Sequence, residues 1–380
     1  MKIFGYELSK IQAPAQTIDI PSVRDAVDGF QLGAETDLPL IRESRNNEWV
    51  DYGDNNLYPE YLKDMYNTSP THNAIVKTKA QMVVGEGWEI NDENLDERGK
   101  IAVRQIIEQI WADAYEISLD YQIFGAIALE VIWSLDGQRI VEVNRIDPSK
   151  LRSGKFEEGR ICEWYYKRNW ADRREDAVEI HSFNQGDLEH KRQLLYHAGQ
   201  KVTNEYYGEP TYLAAMDWVA LESQVGLYYK SLIENGFNPS ILVKFYRKPG
   251  TQEERDDVVS GLKRTFGGVK RAGKAMVMFS DGKDLAPDVS PIDIQNVDKQ
   301  FVAIAEQISQ KILTGERATT PELFGLSVPG QLGSGDFDTK VKCFNKFVIQ
   351  PDQKTFEFVV NKLLLANGYL VDFKLKPMTI

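Results

Sequence analysis

The feature that most constrains the fold is a long helix that stops abruptly. A helical pattern runs from Pro210 to about Asn235, which is about 25 residues or roughly 38 Å at 1.5 Å per residue. Gly236 then favours a left-handed stop, and Pro239 prevents the helix from resuming. The strand-like run SILVKFYR follows at once. The pattern therefore predicts a rod with a compact unit directly beyond its end.

A second long helix is predicted from about Pro291 to Thr314. Its apolar residues recur at helical spacing: Ile294, Val297, Phe301, Ile304, Ala305, Ile308 and Ile312. Between the two long helices, about 50 residues favour a strand, a short helix capped by Thr251, and two further strands. This order predicts two long antiparallel helices with one small domain between them in the chain.

The segment 41–208 is predicted to form one α+β domain, after a loosely ordered, proline-interrupted stretch at 1–40. Ser69 and Pro70 are typical of a helix start, and Gly85 of a helix end. The segment from Asp96 to Phe124 keeps helical spacing throughout. Strands follow in the runs AIALEVIWS, RIVEVNRI, ICEWYYKR, DAVEIHSF and RQLLYHAG, and Asp136-Gly137 predicts a hairpin between the first two.

Beyond the second long helix, the run TTPELFGLSVPGQLGSGDFDTK is rich in glycine and proline and predicts a loop. A last helix is predicted from about Phe337 to Gly368, kinked at Pro351, and the tail YLVDFKLKPMTI resembles a final strand.

Composition narrows the class of protein. The 380 residues are 42% hydrophobic, which is enough for real cores, and no apolar run reaches the roughly 18 residues that span a membrane. The amino-terminal run MKIFGYELSKIQAPAQ has no signal-peptide pattern, so we expect a soluble protein that is intracellular when made. A net charge of −12 argues against tight nucleic-acid binding, which needs lysine and arginine, but allows DNA to pass nearby.

Cofactor and metal signals are weak. Cys162 and Cys343 lie far apart without a CxxC pair, and we interpret them as ordinary buried thiols. His181, His190 and His197, with Asp187 and Glu189 nearby, are spaced by nine and seven residues, which matches no known ligand pattern, so we interpret them as surface or loop histidines. No metal and no cofactor is predicted.

Catalytic signals are also weak. The run GQLGSGD lacks the lysine of a phosphate-binding loop, and the chain has no G-x-S-x-G. No pair of acid and base residues has a defensible geometry, so no catalytic residue is predicted.

Four ordered stretches resemble the portal protein family of tailed bacteriophages. They are YYGEPTYLAAMDWVALESQVGLYYKSLIENGFNPSILVKF, AGKAMVMFSDG, SPIDIQNVDKQFVAIAEQISQKILTG and TTPELFGLSVPGQLGSGD. No single motif is strong, but the ordered set, which covers about residues 200–340, is similar to the family's order of elements. The α+β part before it fits the family less specifically.

The resemblance implies a portal-like α+β architecture with little or no helical crown. Its parts would be an extended segment at 1–40, an α+β wing at 41–208, a stem helix at 209–235, a clip at 236–290, a second stem helix at 291–314, a connector with the tunnel loop at 315–336, a kinked helix at 337–368 and a short strand or tail at 369–380.

The resemblance also implies the function. The chain would form a ring, usually of twelve copies, at one capsid vertex, through which double-stranded DNA is packaged and ejected without strong binding. Its partners would be a terminase motor, a head–tail adaptor and the major capsid protein, with no membrane. It would be part of the virion and would pass through the host cytoplasm during assembly.

Two sets of site residues follow from the resemblance. The DNA-facing tunnel loop would present Gln331, Gly333, Ser334, Gly335 and Asp336. A basic cluster in the clip would dock the adaptor or motor through Arg247, Lys248, Lys263, Arg264, Lys270, Arg271 and Lys274. A plain flexible connection and a solvated face with cations at a helix end are the alternative interpretations of the two sets.

Two other functions stay open at this stage. One is a monomeric α+β enzyme of phage or bacterial origin, hydrolase-like, with the helical hairpin as a lid. The other is a head-completion adaptor without a tunnel. An enzyme would show a clustered acidic or histidine site with shifted pKa values, and an adaptor would form a small ring or a monomer.

Overall fold

A computed structural model describes residues 41–45, 47–172, 174–187, 189–234, 240–245, 251, 274–279, 297–318, 321–325 and 337–378. These residues form a mixed α+β fold, which confirms the α+β class that the sequence predicts. The described α-helices are α1 (Tyr58–Thr68), α2 (Pro70–Val84), α3 (Glu97–Ala112), α4 (Ala114–Phe124), α5 (Met216–Glu234), α6 (Val297–Gly315), α7 (Phe337–Phe344) and α8 (Gln350–Ala366). Three short 3-10 helices lie at Pro148–Lys150, Leu213–Ala215 and Pro321–Phe324.

The described strands form five sheets. The strands are β1 (Ile41–Glu43), β2 (Val50–Tyr52), β3 (Trp88–Asn91), β4 (Ala126–Trp133), β5 (Ile140–Arg145), β6 (Leu151–Ser153), β7 (Phe156–Glu157), β8 (Arg160–Ile161), β9 (Glu163–Tyr166), β10 (Val178–Ser182), β11 (Arg192–Ala198), β12 (Ser240–Phe245), β13 (Lys274–Phe279) and β14 (Asp372–Leu375). The largest sheet has six strands in the order β5-β4-β11-β10-β9-β6, and the other four are pairs.

The six-stranded sheet is antiparallel except for β10 and β11, which run parallel. Its β4–β5 hairpin turns at Asp136-Gly137, as the sequence predicts, with Gly137 at φ +71°. The tail strand is also confirmed, since β14 pairs with β3 so that Phe373 faces Ile90. In the region between the long helices, β12 and β13 pair in parallel with Ser240 opposite Lys274.

The main core lies between one face of this sheet and the helices. The buried positions of α3 are Val103, Ile106, Ile107 and Ile110, the i, i+3, i+4, i+7 stripe that an amphipathic helix turns toward a core. Burial of each such side chain contributes about 1.5–3 kcal/mol. The same core includes apolar residues of α2 and α8, of the start of α5 and of the end of α6. The long helices are therefore anchored in the α+β body.

Helix ends follow local chemistry in most places. Ser69 caps α2 by accepting a hydrogen bond from the His72 amide at 3.3 Å, and α2 stops at Gly85, both as predicted. The segment predicted as one helix from Asp96 to Phe124 is two, because the backbone leaves helical geometry at Asp113. The periodic apolar pattern continues across this break, which is why the sequence does not reveal it.

The first long helix begins later than predicted. Pro210 opens a turn rather than the helix, the 3-10 segment Leu213–Ala215 follows, and α5 starts at Met216. The first long helix is described as far as Glu234, and its predicted stop at Asn235 and Gly236 lies outside the described residues. The second long helix, α6, ends at Gly315, one residue past the predicted Thr314. The predicted start of the second long helix at Pro291 lies outside the described residues.

The last long helix contains one turn of π-helix. This turn, Asn345–Ile349, joins α7 to α8 immediately before Pro351, in the first turn of α8. A proline has no amide hydrogen to donate, and a π turn is one way in which a long helix absorbs such an irregularity. Among the described residues, none of the helices is both long and apolar enough to cross a lipid bilayer.

Candidate functional site: the base of the two long helices

The residues predicted for the tunnel and the clip fall almost entirely outside the described part of the chain. These are Gln331, Gly333, Ser334, Gly335 and Asp336 of the loop, and Arg247, Lys248, Lys263, Arg264, Lys270 and Arg271 of the basic cluster. Lys274 is the exception, since it is the first residue of β13. Their roles therefore stay predictions, and the described geometry points to a different place, the base of α5 and α6.

The chain reaches α5 through a fixed Tyr-Gly-Glu segment. The Tyr207 hydroxyl donates a hydrogen bond to the Val50 carbonyl and accepts one from the Ser153 amide at 3.1 Å. The buried ring stacks on Tyr52 with centroids 4.0 Å apart. These contacts join the approach to α5 to β2 and β6 of the α+β body.

Glu209, two residues further on, is held by one short loop. Its Oε1 atom accepts hydrogen bonds from the Thr203 amide and hydroxyl at 2.6 and 2.7 Å, and from the Asn204 amide and side chain at 3.1 and 3.0 Å. Burial alone would raise the pKa of Glu209, but the Thr203 and Asn204 hydrogen bonds outweigh it and lower the pKa. The carboxylate therefore stays charged and fixes the turn before Pro210.

Gly208 lies against the backbone at the end of α4. A Cβ atom at Gly208 would be 2.3 Å from the Gly125 carbonyl oxygen. The reverse also holds, because a Cβ atom at Gly125 would be 2.2 Å from the Glu209 carbonyl oxygen, and Gly125 has φ +68°. Only glycine allows two backbone segments to approach so closely, and this explains the glycine in the Tyr-Gly-Glu-Pro run.

The two long helices touch at their bases and run in opposite directions. A Cβ atom on Gly315, at the end of α6, would be 2.3 Å from the Cβ atom of Ala215, just before α5. One turn further along, the Lys311 Nζ atom lies 6.0 Å from the centre of the Trp218 ring. As the residue number increases from Ala215 to Trp218, the residue number of the partner decreases from Gly315 to Lys311. The two helices are therefore antiparallel, as the sequence predicts.

A buried charge network holds the end of α6. Glu316 follows the helix directly and is 1% exposed. Its two carboxylate oxygens lie 2.6 Å from His72 Nδ1 and 2.6 Å from Lys79 Nζ, both on α2. Burial would raise the pKa of Glu316, but the charge of Lys79 and the bond to His72 outweigh it and lower the pKa to about 2.

The first turn of α2 also holds α5. Glu222 of α5 accepts hydrogen bonds from the Ser69 hydroxyl, from the Thr71 hydroxyl at 2.6 Å and from the Thr71 amide at 3.2 Å. The Thr71 hydroxyl is also 3.4 Å from the Ser309 hydroxyl of α6. A carboxylate at a helix N-terminus is favoured by the helix dipole, so α2 anchors both long helices at one point.

We call this group the helix base. It consists of Ser69, Thr71, His72, Lys79, Glu222 and Glu316. Sequence reasoning singled out only Ser69 among them, and only as a helix cap. The other contacts join residues more than 150 positions apart, and no local pattern signals them.

Above the base, the two helices expose apolar side chains. Leu227 on α5 is 52% exposed and Ile304 on α6 is 42% exposed, with Leu221 and Tyr228 of α5 also exposed. Apolar side chains that repeat along paired helices are typical of surfaces that pack against another protein.

The fold of the chain is similar to folds in solved structures of particle necks and of a virion. Among solved structures, the chain shares its fold with a chain in the neck of an empty gene transfer agent (GTA) particle computed with C6 symmetry, with a TM-score of 0.58. A neck of the native GTA particle computed with C12 symmetry gives 0.53, and the virion of the native particle gives 0.54.

These matches extend over most of both chains. Each covers 84% of this chain and 83–84% of the matched chain, at 14% sequence identity. An identity this low shows a shared fold, and at the level of the fold it agrees with the resemblance drawn from the sequence. The chain matches no protein-family model and no curated protein.

Proposed function

We propose that this chain is the subunit of a portal ring at one vertex of a phage-like capsid. Double-stranded DNA would enter and leave the capsid through the ring. In this proposal α5 and α6 are the stem, the α+β body around the six-stranded sheet is the wing, and the region that contains β12 and β13 is the clip.

The shared fold with the GTA neck is the observation that carries the proposal. It extends over 84% of both chains in the neck structures, and those necks were computed with C6 and C12 symmetry. The helix base adds support of a physical kind. A channel wall needs rods whose ends are fixed, and α2 fixes both long helices by hydrogen bonds and a buried ion pair.

The net negative charge of the chain is consistent with a channel through which DNA slides. A surface with a net charge of −12 does not hold phosphates strongly, so DNA would slide without being trapped. The proposed DNA-facing residues are Gln331, Gly333, Ser334, Gly335 and Asp336. We also propose that the basic cluster of the clip docks a head–tail adaptor or the terminase motor. The wing would contact the major capsid protein.

The proposed role is structural rather than catalytic. The His72, Lys79 and Glu316 side chains of the helix base are at most 2% exposed, so a substrate would not reach them. Its charges are matched by direct partners, as in a structural network. The packaging motor would be a separate protein that supplies the chemical energy, and the proposed location is the virion, after assembly in the host cytoplasm.

The mass of the purified particle tests this proposal. Twelve copies of a 43.3 kDa chain amount to about 520 kDa, and six copies to about 260 kDa. Native mass spectrometry together with negative-stain images should show a closed ring of one of these masses with a central hole. A monomer or dimer at every concentration, including after co-expression with the cognate capsid protein, would overturn the proposal and favour the enzyme or adaptor alternatives.

A further inference from the structure

A cluster of histidine and carboxylate side chains lies on the six-stranded sheet, away from the helix base. Strands β9 and β10 pair so that Glu163 is directly opposite His181. Glu179 is two residues before His181 and therefore points to the same side of the sheet. One ligand atom from each of the three residues lies within 4.8 Å of the others. Within the part of the chain that the structure describes, this is the one such group of three.

The spacing of these atoms suits a metal ion. His181 Nε2 is 3.4 Å from Glu179 Oε1. Two donors that each lie about 2.0–2.1 Å from a tetrahedral ion are about 3.4 Å apart, which is the same separation. The donors are only partly buried, so an ion could reach them from solvent.

A second histidine lies alongside. The His190 ring packs against the His181 ring with centroids 3.4 Å apart. His190 Nδ1 is 2.8 Å from Asp187 Oδ2, and Asp187 also accepts hydrogen bonds from the backbone amides of Glu189 and His190 at 2.9 and 3.1 Å. A carboxylate that binds one ring nitrogen of histidine fixes the ring and leaves the other nitrogen available, the usual arrangement around metal-binding histidines.

Charge favours a cation at the same point. The carboxylates of Glu163 and Glu179 have oxygen atoms within 4.8 Å of each other, so negative charge is crowded here. A bound dication would relieve this repulsion. The mixture of imidazole and carboxylate selects Zn²⁺, Co²⁺ or Ni²⁺ over Mg²⁺ and Ca²⁺, which prefer oxygen donors throughout.

We propose that Glu163, Glu179 and His181 bind a divalent transition-metal ion of the Zn²⁺ type, with His190 held beside it. The ion would join β9 to β10. The proposal does not depend on the portal function. Its alternative is a site without metal, in which His181 and Glu179 keep only their direct contact at 3.4 Å.

Titration of the full-length chain with ZnCl₂ tests the proposal. Isothermal titration calorimetry at about pH 7.5 should give one Zn²⁺ per chain, and the affinity should fall at about pH 5.5, because protons compete with the metal ion for its ligands. His181→Ala and Glu163→Gln should each lower the affinity by at least about tenfold. Visible absorption by Co²⁺ bound to the wild-type chain should disappear in His181→Ala.

His197→Ala is the matched control. His197 lies on β11 and its ring packs on Phe358 with centroids 5.3 Å apart, so its loss should leave Zn²⁺ binding unchanged. Circular dichroism on each variant checks that it is folded. The proposal is overturned if the folded wild-type chain binds no Zn²⁺, or if the His181→Ala and Glu163→Gln variants bind Zn²⁺ as well as the His197→Ala control.

Discussion

The Nζ atom of Lys79 lies 2.6 Å from the carboxylate of Glu316, and neither side chain is more than 2% exposed. A buried ion pair is costly to break, because removal of one partner leaves the other charge without compensation. We therefore expect Glu316→Gln to lower the free energy of unfolding by about 3–5 kcal/mol. Urea denaturation followed by circular dichroism measures this change.

The control for that variant lies on α6, the helix that Glu316 directly follows. Glu306 of α6 is exposed, so Glu306→Gln should change the free energy of unfolding by no more than about 0.5 kcal/mol. Equal effects of the two substitutions would show that the helix base does not depend on its buried charge.

Acid should weaken the same contact. The pKa of Glu316 is about 2 in the folded chain, against an ordinary value of 4.5. Between these values the unfolded chain binds the additional proton, so the stability that Glu316 contributes is complete above pH 4.5 and is lost as the pH falls toward 2. The unfolding free energies of the wild-type and Glu316→Gln chains should converge across this window. A difference that stays constant there would argue against a charged Glu316.

Two glycines should respond in opposite ways to the same substitution. In Gly208→Ala, the new methyl group would meet the Gly125 carbonyl oxygen at 2.3 Å, so we expect a loss of about 1–3 kcal/mol of stability. Gly226, in the interior of α5, has open space at the same position. Gly226→Ala should therefore stabilise the chain by about 0.5–1 kcal/mol, because alanine favours the helix. Thermal unfolding measures the change in stability of both variants. A Gly208→Ala chain as stable as the wild-type chain would contradict the close backbone approach.

The exposed apolar residues of the long helices should matter for assembly and not for folding. The double variant Leu227→Ser and Ile304→Ser removes two apolar side chains that are 52% and 42% exposed. We expect it to shift the particle mass from ring to single subunits at equal concentration, with little change in the melting temperature. Leu135→Ser is the control, since Leu135 is 95% exposed in the β4–β5 turn. If both variants assemble alike, these helix faces do not form the contact between subunits.

Much of the fold could be predicted from the sequence because its signals are local. A serine before a proline marks the start of α2, and Asp136-Gly137 marks a hairpin, since both residues act on the backbone beside them. The break at Asp113 was missed because the apolar spacing of α3 continues into α4 and hides it.

The functional contacts could not be predicted in this way. Glu316 meets His72 across 244 positions, and only the packing of α6 on α2 brings them together. His181 was interpreted from its distance to His190 along the chain, whereas the register of β9 and β10 supplies Glu163 as its neighbour. Spacing along one strand does not reveal which residue stands opposite on the next.

The helix base has a mechanical consequence. A 19-residue helix such as α5 is about 28 Å long, so a tilt of about 5° at its fixed end would move its far end by roughly 2.5 Å. Small shifts where Glu222 and Glu316 meet α2 are thus amplified along a stiff lever. In the ring that we propose, the same small tilt in every subunit would change the width of the opening.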